Sequence, residues 1–334
     1  MKKIFNKMCE EFKLGNLEKS PIIINGGITN KVYKIVTSEG IYAIKIINKN
    51  KINEDKTYLQ RIENSEKIAD IASENGINTI GAIKVNNKFV QIVEDNYILI
   101  YNWCDGEILL TKQITSDNLE AVANSLAKLH IIETKNNMNY KTIKYKKIDY
   151  KKYYTILKDN KEEWAEFFCK NYDKLNEIYN KVYLSYKNLN DNKSYVHRDL
   201  NRKNIIWRNN IPYIIDWETS TIDNPTIDFF NTAWFMSADV NEEKYYTFIK
   251  EYLSINKLEE DINNAVYAGI IYECNWLEFS LKRALEIHSN DITEINLGKE
   301  SIKPSIIEII NYYNKIPLMI NIFEKVKKEN KEYE

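Results

Sequence analysis

A chain of 334 residues with 44% hydrophobic residues can build two cores, and its formal net charge of −1 lacks the basic excess of a general nucleic-acid binder. Cys9, Cys104, Cys169 and Cys274 are far apart with no C-x-x-C pair, which excludes a zinc ribbon or disulfide framework and points to reduced thiols in the cytoplasm. The lysines of M-K-K-I-F-N-K-M-C-E-E-F have no apolar run behind them, and no stretch is long enough to span a bilayer, so neither a signal peptide nor a membrane partner is expected.

In chain order, β-branched or aromatic runs at 22–25, 31–37 and 41–47 read as strands, separated by the turn signals G-G-I-T-N and S-E-G. A helix is expected over 54–75. Strand-like text follows at 82–85, 88–93 and 97–101, with a tight turn at Asn86-Asn87. Beyond Trp103 the pattern turns helical. Leu119, Val122, Ala123, Leu126 and Leu129 recur at helical spacing behind a cap at Ser116 or Asp117. Further helical text covers 150–188, 242–289 and 301–328, while 195–216 returns to strand and loop. The basic clusters at 144–152 and 325–331 are interleaved with other residues and read as solvated faces. The plan is α+β in two lobes. A small antiparallel-sheet lobe with one main helix covers 1–102, and a larger, mostly helical lobe covers 103–334.

The stretch His197 to Asp216 carries the chemistry. It reads H-R-D-L-N-R-K-N, then two short apolar runs, then I-I-D. Phosphoryl transfer needs a carboxylate beside the attacking hydroxyl and oxygen ligands for Mg²⁺ at the phosphates. Asp199 supplies the first, and Asn204, five residues on, supplies an amide oxygen. A hairpin of 205–207 and 212–215 returns Asp216 to the same place, so the site is expected to gather one base and two metal ligands. The spacing matches the kinase catalytic loop H-R-D-L-x-x-x-N followed by a metal-binding Asp. Three upstream features fit it. Gly26 and Gly27, with Thr29 and Asn30, lie between two strands where backbone amides approach phosphates. I-Y-A-I-K-I puts Lys45 on a strand, as in the V-A-I-K motif. The following helix offers Glu66 as its partner, with Glu63 in reserve.

Together G-G-I-T-N-K-V-Y, L-A-K-L-H at 126–130, H-R-D-L-N-R-K-N, I-I-D-W-E and P-T-I-D-F-F at 225–230 resemble the aminoglycoside phosphotransferase and choline kinase family of small-molecule kinases. The resemblance spans roughly residues 20 to 290 on motif order and content. It implies a two-lobed protein-kinase-like fold and ATP or GTP as cosubstrate. The nucleotide would bind at the connector near 100–104, including Asn102 and Cys104, and Asp228 would brace the catalytic loop. One departure stands out: the family commonly has Gly between His and Asp, and this chain has Arg198. A protein kinase is disfavoured, because Asp216 is followed by Trp-Glu and lies too close to Asp228 to leave room for an activation loop.

The family's acceptors are small hydroxyl compounds, many cationic, which call for carboxylates and aromatic faces. Glu218, Glu273, Trp276 and Glu278 are the candidate acceptor residues, with Tyr272, Trp217 and Trp234 near them in sequence. At helical spacing Trp276 and Phe279 read equally as core. Choline-like and aminoglycoside acceptors both stay open. A second reading, a catalytically silent binding or spore-coat-type relative, is set against the joint presence of Lys45, Asp199, Asn204 and Asp216.

Overall fold

The computed structural model describes residues 2–24, 30–134, 144–238, 241–287 and 290–332. Gly26, Gly27 and Thr29 lie outside the described residues. The chain falls into two compact units, one of Met1–Ile108 with Lys203–Thr221, the other of Leu109–Arg202 with Ile222–Glu334.

The first unit opens with α1 (Lys2–Glu11), which a strand-dominated reading of this region did not anticipate. Its Phe5, Met8 and Cys9 share one face by their i, i+3, i+4 spacing and join a buried cluster with Tyr33, Ile35, Ile44, Val93, Ile98 and Ile100. Strands β1 (Ile22–Ile24), β2 (Lys31–Thr37), β3 (Gly40–Ile46), β4 (Gln91–Val93) and β5 (Asn96–Asn102) form an antiparallel sheet ordered β1-β2-β3-β5-β4. Side chains alternate across a strand, so Ile44 enters that cluster while Lys45 faces the other way. Lys45 is paired with Val32 on β2 and Leu99 on β5.

The helix expected over 54–75 is two helices, α2 (Lys49–Glu54) and α3 (Tyr58–Glu74). Between them the Asp55 carboxylate accepts from the Thr57 amide at 2.8 Å and the Thr57 hydroxyl at 2.7 Å, a local bond that competes with helix continuation. Asn86 and Asn87 form the expected turn with φ of 49° and 62°, closed by reciprocal Val85–Lys88 bonds, but the flanking runs pair no further. After β6 (Ser194–Val196) of the second unit, β7 (Ile205–Arg208) and β8 (Ile211–Ile214) form the expected hairpin. Its turn residues Asn209 and Asn210 take φ of 51° and 61°, which Asn tolerates well. The hairpin bonds to the sheet unit's loops. Ile214 exchanges bonds with Asn78 and Ile80, and Trp207 with Glu107. A single cut at 102/103 does not describe this arrangement, because long-range backbone pairing returns 203–221 to the first unit.

The second unit is helical. α4 (Ser116–Ile131) is capped by Thr115, one residue earlier than expected. Its hydroxyl accepts from the Asn118 amide while the Asn118 side chain accepts from the Thr115 amide, a reciprocal capping box. α5 (Tyr150–Leu157) and α6 (Glu163–Lys187) replace one long helix. α7 (Pro225–Met236) begins with Pro225 behind Asn224, whose side chain caps the Thr226 amide at 2.8 Å. α8 (Glu242–Ile255), α9 (Ile262–Ala268) and α10 (Ile271–Ala284) follow, then α11 (Ile292–Glu332), which continues through Pro304 and Pro317. Buried Leu119, Val122, Ala123 and Leu126 of α4 pack beside α8 with its buried Phe248, Ile249 and Tyr252. No helix among the described residues is long and apolar enough to cross a membrane.

Candidate active site

In the first unit the β7–β8 hairpin ends on a turn that sets Asp216 against Lys45. Lys45 Nζ lies 2.7 Å from Asp216 Oδ1 and 2.8 Å from Glu218 Oε2. Burial alone would lower the lysine's pKa, but Glu218 and Asp216 hold it well above the ordinary range. Glu218 feels the reverse balance: desolvation pushes it up, and the Lys45 charge overrides this and holds it below the usual carboxylate range. Asn30 Nδ2 donates to Glu218 Oε2 at 3.0 Å, and Asn30 Oδ1 accepts from the Asn48 amide at 3.0 Å, tying the strand entrance to the start of α2. Trp217, fully buried, anchors the turn by donating from Nε1 to the Ile214 carbonyl at 3.2 Å. Asp216 itself takes φ of 59°, left-handed backbone that Asp, like Asn, adopts more readily than most non-glycine residues. Asn204 is brought beside it: the Ile215 amide donates to the Asn204 carbonyl at 3.0 Å. Asn204, Asp216 and Glu218 offer hard oxygens of the type Mg²⁺ takes, and it commonly completes its shell with phosphates and water.

Neither helical glutamate is an ion-pair partner of Lys45. Glu66 is 1% exposed, accepts from the Ala82 amide at 2.7 Å and takes a hydrogen bond from the Tyr101 hydroxyl at 2.8 Å. Burial pushes its pKa up to about 7, against the pull of those bonds and of Lys45. Glu63 accepts from the Phe89 and Val90 amides. The second acid that meets Lys45, beside Asp216, is Glu218, which the sequence motifs placed among the acceptor candidates. The D-x-E spacing from Asp216 is the signal that carried it. Asn102 ends β5 opposite Tyr42, and Cys104 is half-buried, its thiol pushed up by burial.

In the second unit Asp228, fully buried on α7, accepts from the His197 amide at 2.9 Å and the Arg198 amide at 2.8 Å. His130 Nε2 lies 3.2 Å from the same carboxylate, and its Nδ1 is 2.7 Å from the Tyr252 hydroxyl. Burial pushes Asp228 up, but the bonds from His130 and the backbone hold it below its usual range. The brace expected of Asp228 is thus a two-amide clamp. His130 of L-A-K-L-H, to which sequence reasoning gave no role, supports it. Asp199, exposed, is oriented by Asn201, whose side chain donates to Asp199 Oδ1 at 2.7 Å. Arg198 adopts φ of 69°, the conformation for which the family's glycine is suited.

The three acceptor candidates on α10 differ. Glu273 takes a hydrogen bond from Ser305, and desolvation raises it to about 7, with Glu308 and Asp199 adding to the rise. Glu308 in turn accepts from the Trp234 indole. Glu278 is engaged by the Tyr153 hydroxyl at 3.1 Å and by Lys282 at 3.0 Å. The half-buried Trp276 lies 5.8 Å from Phe279 and beneath Arg283.

The sequence profile described as "APH: Phosphotransferase enzyme family" matches residues 22–260, well over half of the chain. No curated protein sequence matches significantly. Among solved structures, a spectinomycin phosphotransferase, APH(9)-Ia, in complex with ADP and spectinomycin is similar, with TM-score 0.66 and 16% identity over 91% of this chain and 96% of that one. A Plasmodium vivax ethanolamine kinase gives TM-score 0.57 and 22% identity over 89% and 83%, respectively. A choline kinase from Cryptosporidium parvum gives 0.59 and 16% over 98% and 99%. These likenesses show the fold: a kinase-like small antiparallel sheet region with a mostly helical part, as expected.

Proposed function

Because the chain belongs to the APH phosphotransferase enzyme family and is a phosphotransferase acting on hydroxyl groups, we propose that it is a cytoplasmic, Mg²⁺-dependent kinase moving the γ-phosphate of ATP or GTP to a small cationic acceptor. The observation that carries this reading is the buried Lys45, ion-paired at once with Asp216 and Glu218 on the turn that follows the hairpin. Lys45 binds the α/β-phosphates, and Asn204 and Asp216, with Glu218 adjacent, supply the oxygens that hold Mg²⁺. The bound ion supplies charge neutralisation on the transferring phosphoryl group. Asp199 accepts or orients the proton of the acceptor hydroxyl, and in a loose transition state its placement matters more than its basicity. Gly26, Gly27, Thr29 and Asn30 contribute to phosphate binding, and Asn102 and Cys104 to the nucleotide base.

Glu273 is the best supported acceptor residue. A carboxylate already desolvated to a pKa of about 7 gains most from an incoming ammonium, which restores the counter-charge that burial removed. Trp276 and Glu278 are the weaker candidates, because packing and the Tyr153 and Lys282 contacts occupy them.

The test is ADP or GDP release with Mg²⁺ across a panel of amino alcohols and aminoglycosides, preceded by thermal shift with each nucleotide. Turnover on a cationic acceptor, abolished in Asp199→Ala, supports the reading. Nucleotide-induced stabilisation without turnover on any hydroxyl compound supports the silent relative instead.

A further inference from the structure

We propose that Arg198 is a positioning residue that fixes the catalytic loop by anchoring its own side chain in a tyrosine–aspartate socket of the second unit; this rests on Asp199 being the residue that handles the acceptor proton. The loop is held twice. Its backbone is clamped where the His197 and Arg198 amides meet Asp228. Its side-chain anchor is separate. Arg198 Nη2 donates to the Tyr145 hydroxyl at 3.2 Å, and that hydroxyl donates to Asp223 Oδ2 at 2.8 Å. The guanidinium also lies 4.9 Å from the centre of the Tyr272 ring. Tyr145 is walled by Tyr186, 5.1 Å away edge-on, and Asp223 is 2% exposed, with its second oxygen accepting from the Asn224 amide at 2.9 Å.

These contacts solve a problem the sequence creates. A left-handed residue immediately before Asp199 sets the direction in which that aspartate leaves the chain. Glycine reaches this conformation freely but also leaves it freely, so it does not hold the direction. Arg198 reaches it against its own preference, at φ of 69°. A planar guanidinium that donates to Tyr145 and lies over the Tyr272 ring holds it there, which a lysine ammonium does not reproduce. The side chain that replaces glycine is therefore a strut, and Tyr145 and Asp223 are its socket.

The test uses R198G, R198K, Y145F and the double variant in the full chain. R198G is compatible with the backbone and is expected to fold with a melting temperature close to the parent. Its kcat in ADP release across the acceptor panel should fall about tenfold, with KM for nucleotide and acceptor changing less than about twofold, the signature of misplacing a group that acts at the transition state. R198K should not rescue it. Y145F should lose a smaller factor, and the double variant should be no worse than R198G, because the two residues form one unit. Hydrogen exchange at the 199–201 amides reads the same positioning without turnover. It should quicken in R198G and Y145F while exchange in α4 is unchanged. Unaltered exchange at 199–201, or losses from R198G and Y145F that simply multiply, overturns the proposal. A fully active D199N with quickened exchange in R198G instead retires the role of Asp199 and leaves the strut standing.

Discussion

Replacing Glu66 by Gln should stabilise the protein in neutral and alkaline buffer and leave it unchanged in acid. Glutamine preserves both contacts: its carbonyl accepts from the Ala82 amide, and its NH₂ donates to the Tyr101 oxygen in place of the bond Glu66 now receives. What it removes is a buried charge. With a folded pKa of about 7 against an ordinary 4.5, Glu66 holds a proton in the folded chain that the unfolded chain releases between those values. The folded state binds the extra proton, so its contribution to stability is complete below the unfolded pKa and is lost as pH rises through the folded one. The difference between the two pKa values corresponds to about 3 kcal/mol as an upper bound. The assay is urea unfolding of parent and variant from about pH 4 to about pH 8.5, taking the difference of the two curves so that every other titrating group cancels. The gap should open from near zero to a plateau of roughly 2–3 kcal/mol. A gap that is constant with pH refutes the reasoning, since it would mean that Glu66 has the same proton affinity folded and unfolded.

Asp199→Ala should lower kcat by at least about a hundredfold while nucleotide-induced thermal stabilisation persists; near-parental turnover would remove Asp199 from the mechanism. Lys45→Met leaves two carboxylates facing each other and should cost roughly 2–3 kcal/mol, less than a fully buried pair because the Asp216 side chain is 38% exposed. Mg²⁺ without nucleotide should restore part of that loss by thermal shift, and no Mg²⁺ response would argue against Asp216 and Glu218 as cation ligands. The KM for a cationic acceptor should fall as pH rises toward about 7, where Glu273 ionises, and then level off. Glu273→Gln should flatten that profile, and an unchanged profile would place the acceptor elsewhere.

What sequence made legible was whatever depends on local chemistry. Asn209-Asn210 announced its hairpin because Asn accepts left-handed backbone, and that hairpin carried Asp216 to Lys45. The 3.6-residue spacing of Leu119 to Leu129 gave α4, although the cap moved to Thr115 because Asn118 could answer it. The misses share a different cause. Glu66 and Glu63 both lie on α3, and helical phase alone could not tell which atoms of the fold would reach them. Both found backbone amides, and Lys45 went to Glu218, a residue 173 positions away whose approach depends on the hairpin. Likewise Tyr145 meets Arg198 across 53 positions, and nothing near either residue in sequence signals it. α1 was missed because its apolar face is short, buried Phe5, Met8 and Cys9 with half-buried Ile4 beside them, in an otherwise polar stretch.

The distribution of left-handed residues bears on whether the chain is an enzyme or a silent relative. Asn86, Asn87, Glu94, Asp95, Asn209 and Asn210 adopt that conformation in tight two-residue turns, and Lys13, Ala238 and Glu286 adopt it just past the ends of α1, α7 and α10, where it terminates a helix. Arg198 and Asp216 are in neither setting: one precedes the proposed proton acceptor and the other bears the proposed metal-binding carboxylate. For Arg198 the conformation costs about 1–2 kcal/mol, less for an aspartate such as Asp216, and each is held by specific contacts: the Asp228 clamp and Tyr145 socket for Arg198, Trp217 and Lys45 for Asp216. A binding scaffold with no reaction to perform gains nothing from strain at Arg198, since glycine there would relieve it. An enzyme gains the fixed direction of two carboxylates. Left-handed backbone that makes neither a tight turn nor a helix end, at the two positions that set the proposed carboxylates, therefore favours the active kinase over the silent one.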